Sequence, residues 1–356
     1  MEARNPEPDG GRRFPESETP LMASSPKIRG ADGWRRVLLN RTYVITITGI
    51  FVFALFSFAV ERFLTAENLL NTLRQMAVLG ILSVGMTFLF VVGEIDISIG
   101  SIYGFLTVIM GILVGRRGWN PWLGMLTVVG LGALIGANTG LIVTKIGIPS
   151  FVVTLAELVA YRSAALLASG ERPSVAEGVG SFYVASGGYL GSMVPWLIVW
   201  MAVILVLGGL VLAKTKFGYH VFATGGDSEA ARNWGIDIRR TKLLCFVLMG
   251  ALCGLSGALL FGWLQVAAPI TGTGLEFSVI AAVILGGTAL QGGRGSIYGS
   301  LVGAIIIAML SSGLVLLGLS QQWKDVATGG LILFAATLDW LVRKVGLRHA
   351  PAMAGD

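Results

Sequence analysis

Ten apolar stretches, each near the length that crosses a lipid bilayer, follow one another along this chain and leave it few ways to fold. They cover residues 43–60, 73–92, 97–114, 122–144, 149–169, 191–213, 243–266, 276–291, 296–318 and 325–342. Crossing a hydrocarbon core takes about 20 apolar residues in a helix. Only helices and closed barrels satisfy their own backbone groups inside lipid. The expectation is an all-α, polytopic membrane protein with about ten transmembrane helices, embedded in the lipid bilayer. Merging two short stretches near 73–114 or 276–318 gives eight. Charged residues make up 13% of the chain, against about 25% in soluble domains. The 50 glycines suit the class, because small residues let membrane helices approach closely.

The placement of charge orients the chain. The formal net charge is +6, and the basic residues gather at the N-terminus, in 214–242 and just after the last stretch. Excess Lys and Arg marks cytoplasmic loops. Ten crossings from a cytoplasmic N-terminus put 214–242 and the C-terminus on the cytoplasmic side, and leave Arg116-Arg117 outside. The charges form no stripe of the kind that binds nucleic acid. Residues 1–42 have no apolar core of a signal peptide and read as a disordered cytoplasmic tail; 43–342 is the transmembrane domain and 343–356 a cytoplasmic C-terminal tail. The outer loop 170–190 is rich in Gly and Ser and reads as a linker, or as a surface for a soluble partner. Cys245 and Cys253 are eight residues apart, about 12 Å along a helix and too far for a disulfide. His220 and His349 have no companion at metal-ligand spacing.

Two polar stretches interrupt the apolar pattern. The first is Lys214 to Lys242, with six Lys/Arg against three Asp/Glu. Gly225-Gly226 breaks the chain, Asp227 is an N-cap, Ser228 to Trp234 is helical material, and Gly235 stands where a C′ glycine belongs. So short a helix does not hold alone in water: the stretch is either a solvated loop or a helix that docks on something. The second is Gly93-Glu94-Ile95-Asp96-Ile97-Ser98-Ile99-Gly100-Ser101, poor continuous helix that suits a break between spans. Non-helical backbone at membrane depth is tolerated only where protein buries it or a cavity hydrates it. The functional reading is a pathway or gate; the plainer one sets Glu94 and Asp96 in an interfacial turn. Gly100 to Gly104 (GSIYG) recurs as Gly295 to Gly299, each copy opening a span on the cytoplasmic side. Among the remaining polar residues, Asn138 reads as a link between helices. Glu157 and Arg162, five apart, either flank a helix end or pair across helices. Gly208 to Thr215 approaches a P-loop, but Ala213 stands where glycine is required, and no catalytic constellation appears elsewhere.

Four segments carry a family resemblance. Glu229-Ala230-Ala231 followed by Gly235 resembles the EAA---G loop of ABC-transporter permeases. VVGEIDISIGS, LGGTALQGGRGSIYGSLVGA, ATGGDSEAARNWGI and AENLLNTLRQMAVLGILSVGMTF resemble, in order and spacing, the permeases of ribose, xylose and arabinose importers, over roughly 43–342. The resemblance implies the ABC importer permease fold. It also implies a coupling helix with Glu229, Ala230, Ala231, Arg232 and Gly235 against a separate ATPase subunit that binds the ATP. The pathway or gate would use Glu94, Asp96, Ser98, Gly100, Ser101, Gly293 and Gly295. Partners would be a second permease subunit, with the pathway between the two, and a periplasmic sugar-binding protein, all at a bacterial inner membrane. The chain itself would hold no cofactor and no ATPase site. The alternatives are an ion-gradient-driven carrier using Glu94, Asp96, Glu157 and Glu276, or an ABC permease for a non-sugar cargo.

Overall fold

Helices account for nearly every apolar stretch. The computed structural model describes residues 41–348 apart from position 192, so the tail expected over 1–42 falls almost entirely outside it, while the first residues of the one expected over 343–356 continue the last helix to Arg348. Helix α1 covers Arg41–Ala59 and α2 Ala66–Val91. Helix α3 (Ile99–Gly111) ends in a π-helical turn, Ile112–Arg116, and α4 (Pro121–Leu141) does the same over Ile142–Ile146. Next come α5 (Ser150–Ser169), β1 (Ser174–Val175), α6 (Ser181–Gly187), β2 (Tyr189–Leu190) and β3 (Val194–Pro195). Helices α7 (Trp196–Lys214), α8 (Lys216–Gly226), α9 (Ser228–Asn233) and α10 (Ile238–Leu264) lead to β4 (Val266–Ala267). Helices α11 (Leu275–Leu285), α12 (Ile297–Leu316) and α13 (Gln321–Arg348) complete the fold.

Among the described residues, seven helices are long and apolar enough to cross a membrane: α2, α3, α4, α5, α7, α10 and α12, with α3 and α4 counted through their π-turns. Ile45–Ala59 of α1 and the whole of α11 are shorter apolar helices. The stretch expected over 276–291 stops early because Gly286 and Gly287 end α11, the latter at φ +82.

Helix α2 is the centre. From Met76 to Val92 nearly every side chain is buried, with α7, α10, α11 and α12 packed around it. The outer helices turn apolar side chains outward, Phe58 at 92% and Leu167 at 83% exposed, which is what lipid covers in a membrane protein. Helices α4 and α10 meet through glycines. A Cβ at Gly132 or Gly136 would strike the carbonyl of Gly250 or Phe246, and one at Gly254 the carbonyl of Val128. Close backbone approach of this kind replaces the hydrophobic drive that membrane helices lack between themselves. Gly136→Val is accordingly expected to cost about 3 kcal/mol, read as a lowered thermal midpoint of the detergent-purified protein. Gly130→Val on the same helix, where a Cβ meets nothing within 4 Å, leaves it unchanged. Asn138 is exposed and bonds to no other helix among the described residues, contrary to its expected role; its neighbour Thr139 makes the link.

The packing defines two ends. One, the basic end, carries α8, α9 and the 287–296 turn. At the opposite end the 170–190 segment is folded rather than a bare linker. Strand β1 pairs antiparallel with β4, and β2 with β3. Phe182 of α6 is buried edge-on against Trp122, whose indole N–H donates to Ser181. Aromatic residues that the plain composition of this loop hides fix it to the helices below.

Candidate functional site

Two non-helical segments enter the helix bundle from opposite ends, and the helix that the first delivers meets the second inside it. The first is 92–98, between α2 and α3. Glu94 at its start is ion-paired with Lys242 near the start of α10. Ile99 at its end accepts a hydrogen bond from Cys253 Sγ, 3.7 Å away. Lys242 and Cys253 are eleven residues apart on α10, so the segment descends about 16 Å along that helix, half of a bilayer core. Glu94 therefore sits at the basic end, as an interfacial turn predicts, whereas Asp96 and Ser98 lie in the interior, as a broken helix predicts. The Ser98 backbone N–H and hydroxyl both donate to Asp96 Oδ1. Below them the Thr139 hydroxyl lies 2.8 and 2.9 Å from the two oxygens of Glu157. Ser101 is buried, and its hydroxyl has no partner among the described residues.

The second segment, 265–274, runs in from the opposite end and delivers α11. Gly272 and Gly274 take φ values of +82 and +76, which glycine adopts without a Cβ penalty. A Cβ at Gly100 would collide with Glu276 and the Gly272 carbonyl, and one at Gly104 with the Thr271 carbonyl. The start of α3, which the first segment delivers, thus touches the second segment backbone to backbone. Arg162 of α5 clamps the second one, donating from Nη1 to Thr273 Oγ1 at 2.7 Å and to the Thr271 carbonyl at 3.1 Å. Glu157 and Arg162 do not pair with each other; each reaches across to a different neighbour.

The echoed GSIYG pentapeptides occupy different depths, contrary to the expectation that both lie at one face. Gly100 sits in the interior against the 271–276 backbone, while Gly295 packs on Val91 and Thr288 at the basic end. Both lie at a helix start, but at different registers: α3 begins one residue before Gly100, α12 two after Gly295.

The basic end holds the other expected residues. Gly225 and Gly226 do not break the chain; they form the last turn of α8, and the break falls at Asp227 (φ −155). The reason is a contact. A Cβ at Gly225 would strike the Val91 carbonyl and lie 2.8 Å from Gly293 N. Gly293 N–H itself donates to the Val91 carbonyl at 2.9 Å. The end of α2, the end of α8 and the 292–293 turn therefore form one backbone joint. Helix α9 hangs from it. Asp227 Oδ1 caps the N–H groups of Glu229 and Ala230 at 3.0 and 2.9 Å. At the other end Gly235 takes φ +80, Gly235 N–H donates to Arg232 O, and Ile236 N–H donates to Ala231 O. This is the Schellman closure, with Ala231 and Ile236 buried beneath it. Glu229, Ala230, Arg232 and Gly235 face outward, beside Trp234, which is 86% exposed.

Sequence reasoning missed Gly225, Gly292, Lys242, Arg162 and Trp234 as parts of this arrangement. The paired glycines 225–226 and 292–293 were the available signal; two Gly-Gly pairs at one end of a bundle suit a backbone-to-backbone contact.

Helices broken inside a bundle, polar groups buried at the break and an exposed capped helix jointed to it define a membrane transport permease. The chain belongs to the family described as branched-chain amino acid transport system / permease component, whose sequence model matches residues 68–336. It is 37% identical over 297 residues to the ribose import permease protein RbsC of Bacillus subtilis (strain 168), covering 82% of this chain and 90% of that protein. It is 30% identical to the xylose transport system permease protein XylH of Haemophilus influenzae, covering 84% and 96%. It is 32% identical to the fructose import permease protein FrcC of Rhizobium meliloti, covering 93% and 96%. No solved structure matches the chain.

Proposed function

We propose that the chain is the membrane-spanning subunit of an ATP-driven ABC importer that carries a monosaccharide across the bacterial inner membrane. The observation that carries this reading is the capped, outward-facing helix α9 jointed to the broken helices, in a chain whose relatives are named for the import or transport of ribose, xylose and fructose. In this reading the ATPase is a separate subunit that binds the nucleotide. A soluble binding protein delivers the sugar, a second copy of the permease completes the pathway, and α9 is the coupling helix.

The basic end is the cytoplasmic one. Lys145, Lys214, Lys216, Arg239, Arg240 and Arg294 gather there, as cytoplasmic loops require. Counting α1 and α13, and taking 92–98 with α3 and 265–274 with α11 as one crossing each, gives ten crossings and returns both ends of the described residues to that side. In mechanism, closure of the ATPase pair displaces α9. The Val91–Gly225–Gly293 joint and the Lys242–Glu94 pair pass that displacement to the 92–98 segment. Its lower end then shifts against 271–276, and access alternates between the two faces.

The test is co-purification from mild detergent. A stoichiometric P-loop ATPase is expected with the wild-type chain and is lost from a Glu229→Ala/Arg232→Ala double variant. Trp234→Ala is expected to weaken that association by about 2 kcal/mol, about thirtyfold in Kd, as exposed aromatics do when they anchor an interface. Recovery of the same ATPase in equal amount with all variants would remove α9 from the coupling role.

A further inference from the structure

We propose that a cleft inside the single subunit, between α2, α10, α11, α12 and α13, is a binding subsite for a neutral monosaccharide, separate from any path at an interface between two subunits. The cleft has a volume of about 160 Å³. A cavity of about 150 Å³ holds a benzene ring, so a furanose or pyranose ring is of the right scale for this half-open space.

Its lining is that of a sugar site. Gln75, Tyr103, Ser278, Ser311 and Lys324 supply polar groups. Four of them (Gln75, Tyr103, Ser311 and Lys324) make no side-chain hydrogen bond among the described residues. The Ser278 hydroxyl has only a 3.4 Å contact to the Gly274 carbonyl. Tyr103, Ser278 and Ser311 are each no more than 5% exposed. These polar side chains, with Gln75 exposed and Tyr103, Ser278 and Ser311 buried, converge on one space, so a hydroxylated guest reaches hydrogen-bonding groups from several helices at once. Trp263, Leu260 and Ile307 give an apolar wall, the complement of the C–H face of a sugar ring.

Charge narrows the guest further. Lys324 is the one charged residue among the described lining residues. The ammonium group of an amino acid finds no carboxylate among the lining residues, whereas a neutral polyol needs none. The cleft also touches the helix that the second broken segment delivers: Leu275 and Ser278 of α11, which line it, flank Glu276, the residue seated on Gly100. A guest in the cleft therefore contacts the helix whose position closes the two broken segments against each other.

The choice of a sugar as guest rests on the proposed function, and the experiment separates the two. Right-side-out vesicles bearing the unsubstituted importer are first tested for uptake of ribose, xylose and fructose. Ser311→Cys, a near-isosteric change, and Ser278→Cys are then each introduced into the whole importer and treated with a small polar thiol reagent. The native Cys245 and Cys253 are buried, so background is low. The imported sugar, at ten times its Kd, is expected to slow modification at both positions about tenfold, in proportion to the unoccupied fraction; a sugar that is not imported leaves the rate unchanged. Modification at the same rate with and without the imported sugar overturns the subsite and leaves the importer standing. So does failure of the reagent to reach either position. If the vesicles take up none of the three sugars, the proposed function falls and the subsite with it.

Discussion

Lys242→Met is expected to lower transport by about two orders of magnitude at equal membrane level, with the ATPase subunit still bound. Lys242 Nζ and Glu94 Oε1 form an ion pair in which the side chains are 24% and 9% exposed. Taking away one partner of a mostly buried pair strands the other, at about 3 kcal/mol, and 1.4 kcal/mol is a factor of ten. The stranded group sits at the head of 92–98, so the penalty falls on the segment that the pair positions. Glu94→Gln lowers transport less, because the Lys242 side chain can still donate to the amide oxygen. The double variant Glu94→Gln/Lys242→Met has no charge to strand and is expected to recover much of the loss. Initial uptake rates, normalised to permease in the membrane, give the cycle. Strictly additive losses in the double variant would show that the two residues act independently and that the pair transmits nothing.

Gly225→Val is expected to abolish transport while the permease still inserts. The added side chain meets the Val91 carbonyl and the Gly293 backbone, and neither can swing aside as a flexible side chain does. Overpacking against fixed backbone costs about 3 kcal/mol and parts α8 from α2 at the joint. Nucleotide hydrolysis by the bound ATPase then continues without import. Gly226→Ala is the control: a Cβ there meets nothing within 4 Å, and uptake stays within about twofold of wild type, as for exposed substitutions generally. Normal uptake by Gly225→Val would take the joint out of the transmission path.

The fold was legible where one physical rule dominates. Bilayer thickness sets the length of a crossing helix, and so the apolar stretches marked α4, α5, α7, α10 and α12 to within about five residues, while α2 begins seven residues before its stretch. Local capping chemistry was equally readable: Asp227 and Gly235 bound α9 because an Asx cap and a left-handed glycine are properties of a few adjacent residues. Contacts between distant segments were not. Gly225-Gly226 reads locally as a helix breaker, yet α8 continues through it because Val91 and Gly293 leave no room for a side chain. Lys242 reads as one more cytoplasmic cation, and only the path of α10 beside 92–98 brings it to Glu94. Asn138 is the natural choice for a link between helices, but helix phase turns it outward and puts Thr139 opposite Glu157. The equal pentapeptides at Gly100 and Gly295 suggest equal positions, whereas the descent of 92–98 carries one of them to mid-depth. The loop 170–190 looks featureless because Phe182 and Tyr183 acquire partners, Trp122 among them, only once the helices are assembled.

The measurement that bears most directly on the central claim is uptake of labelled ribose, xylose and fructose by cells carrying the complete importer, with ATP and the ion gradients controlled separately. The account predicts uptake of at least one of these sugars that stops when ATP is exhausted while the ion gradients are held, and that persists when the gradients are collapsed and ATP is supplied. Uptake that survives the loss of ATP and follows a proton or sodium gradient would contradict it. The buried carboxylates Asp96 and Glu157 would then be the ion-binding groups of a self-sufficient carrier.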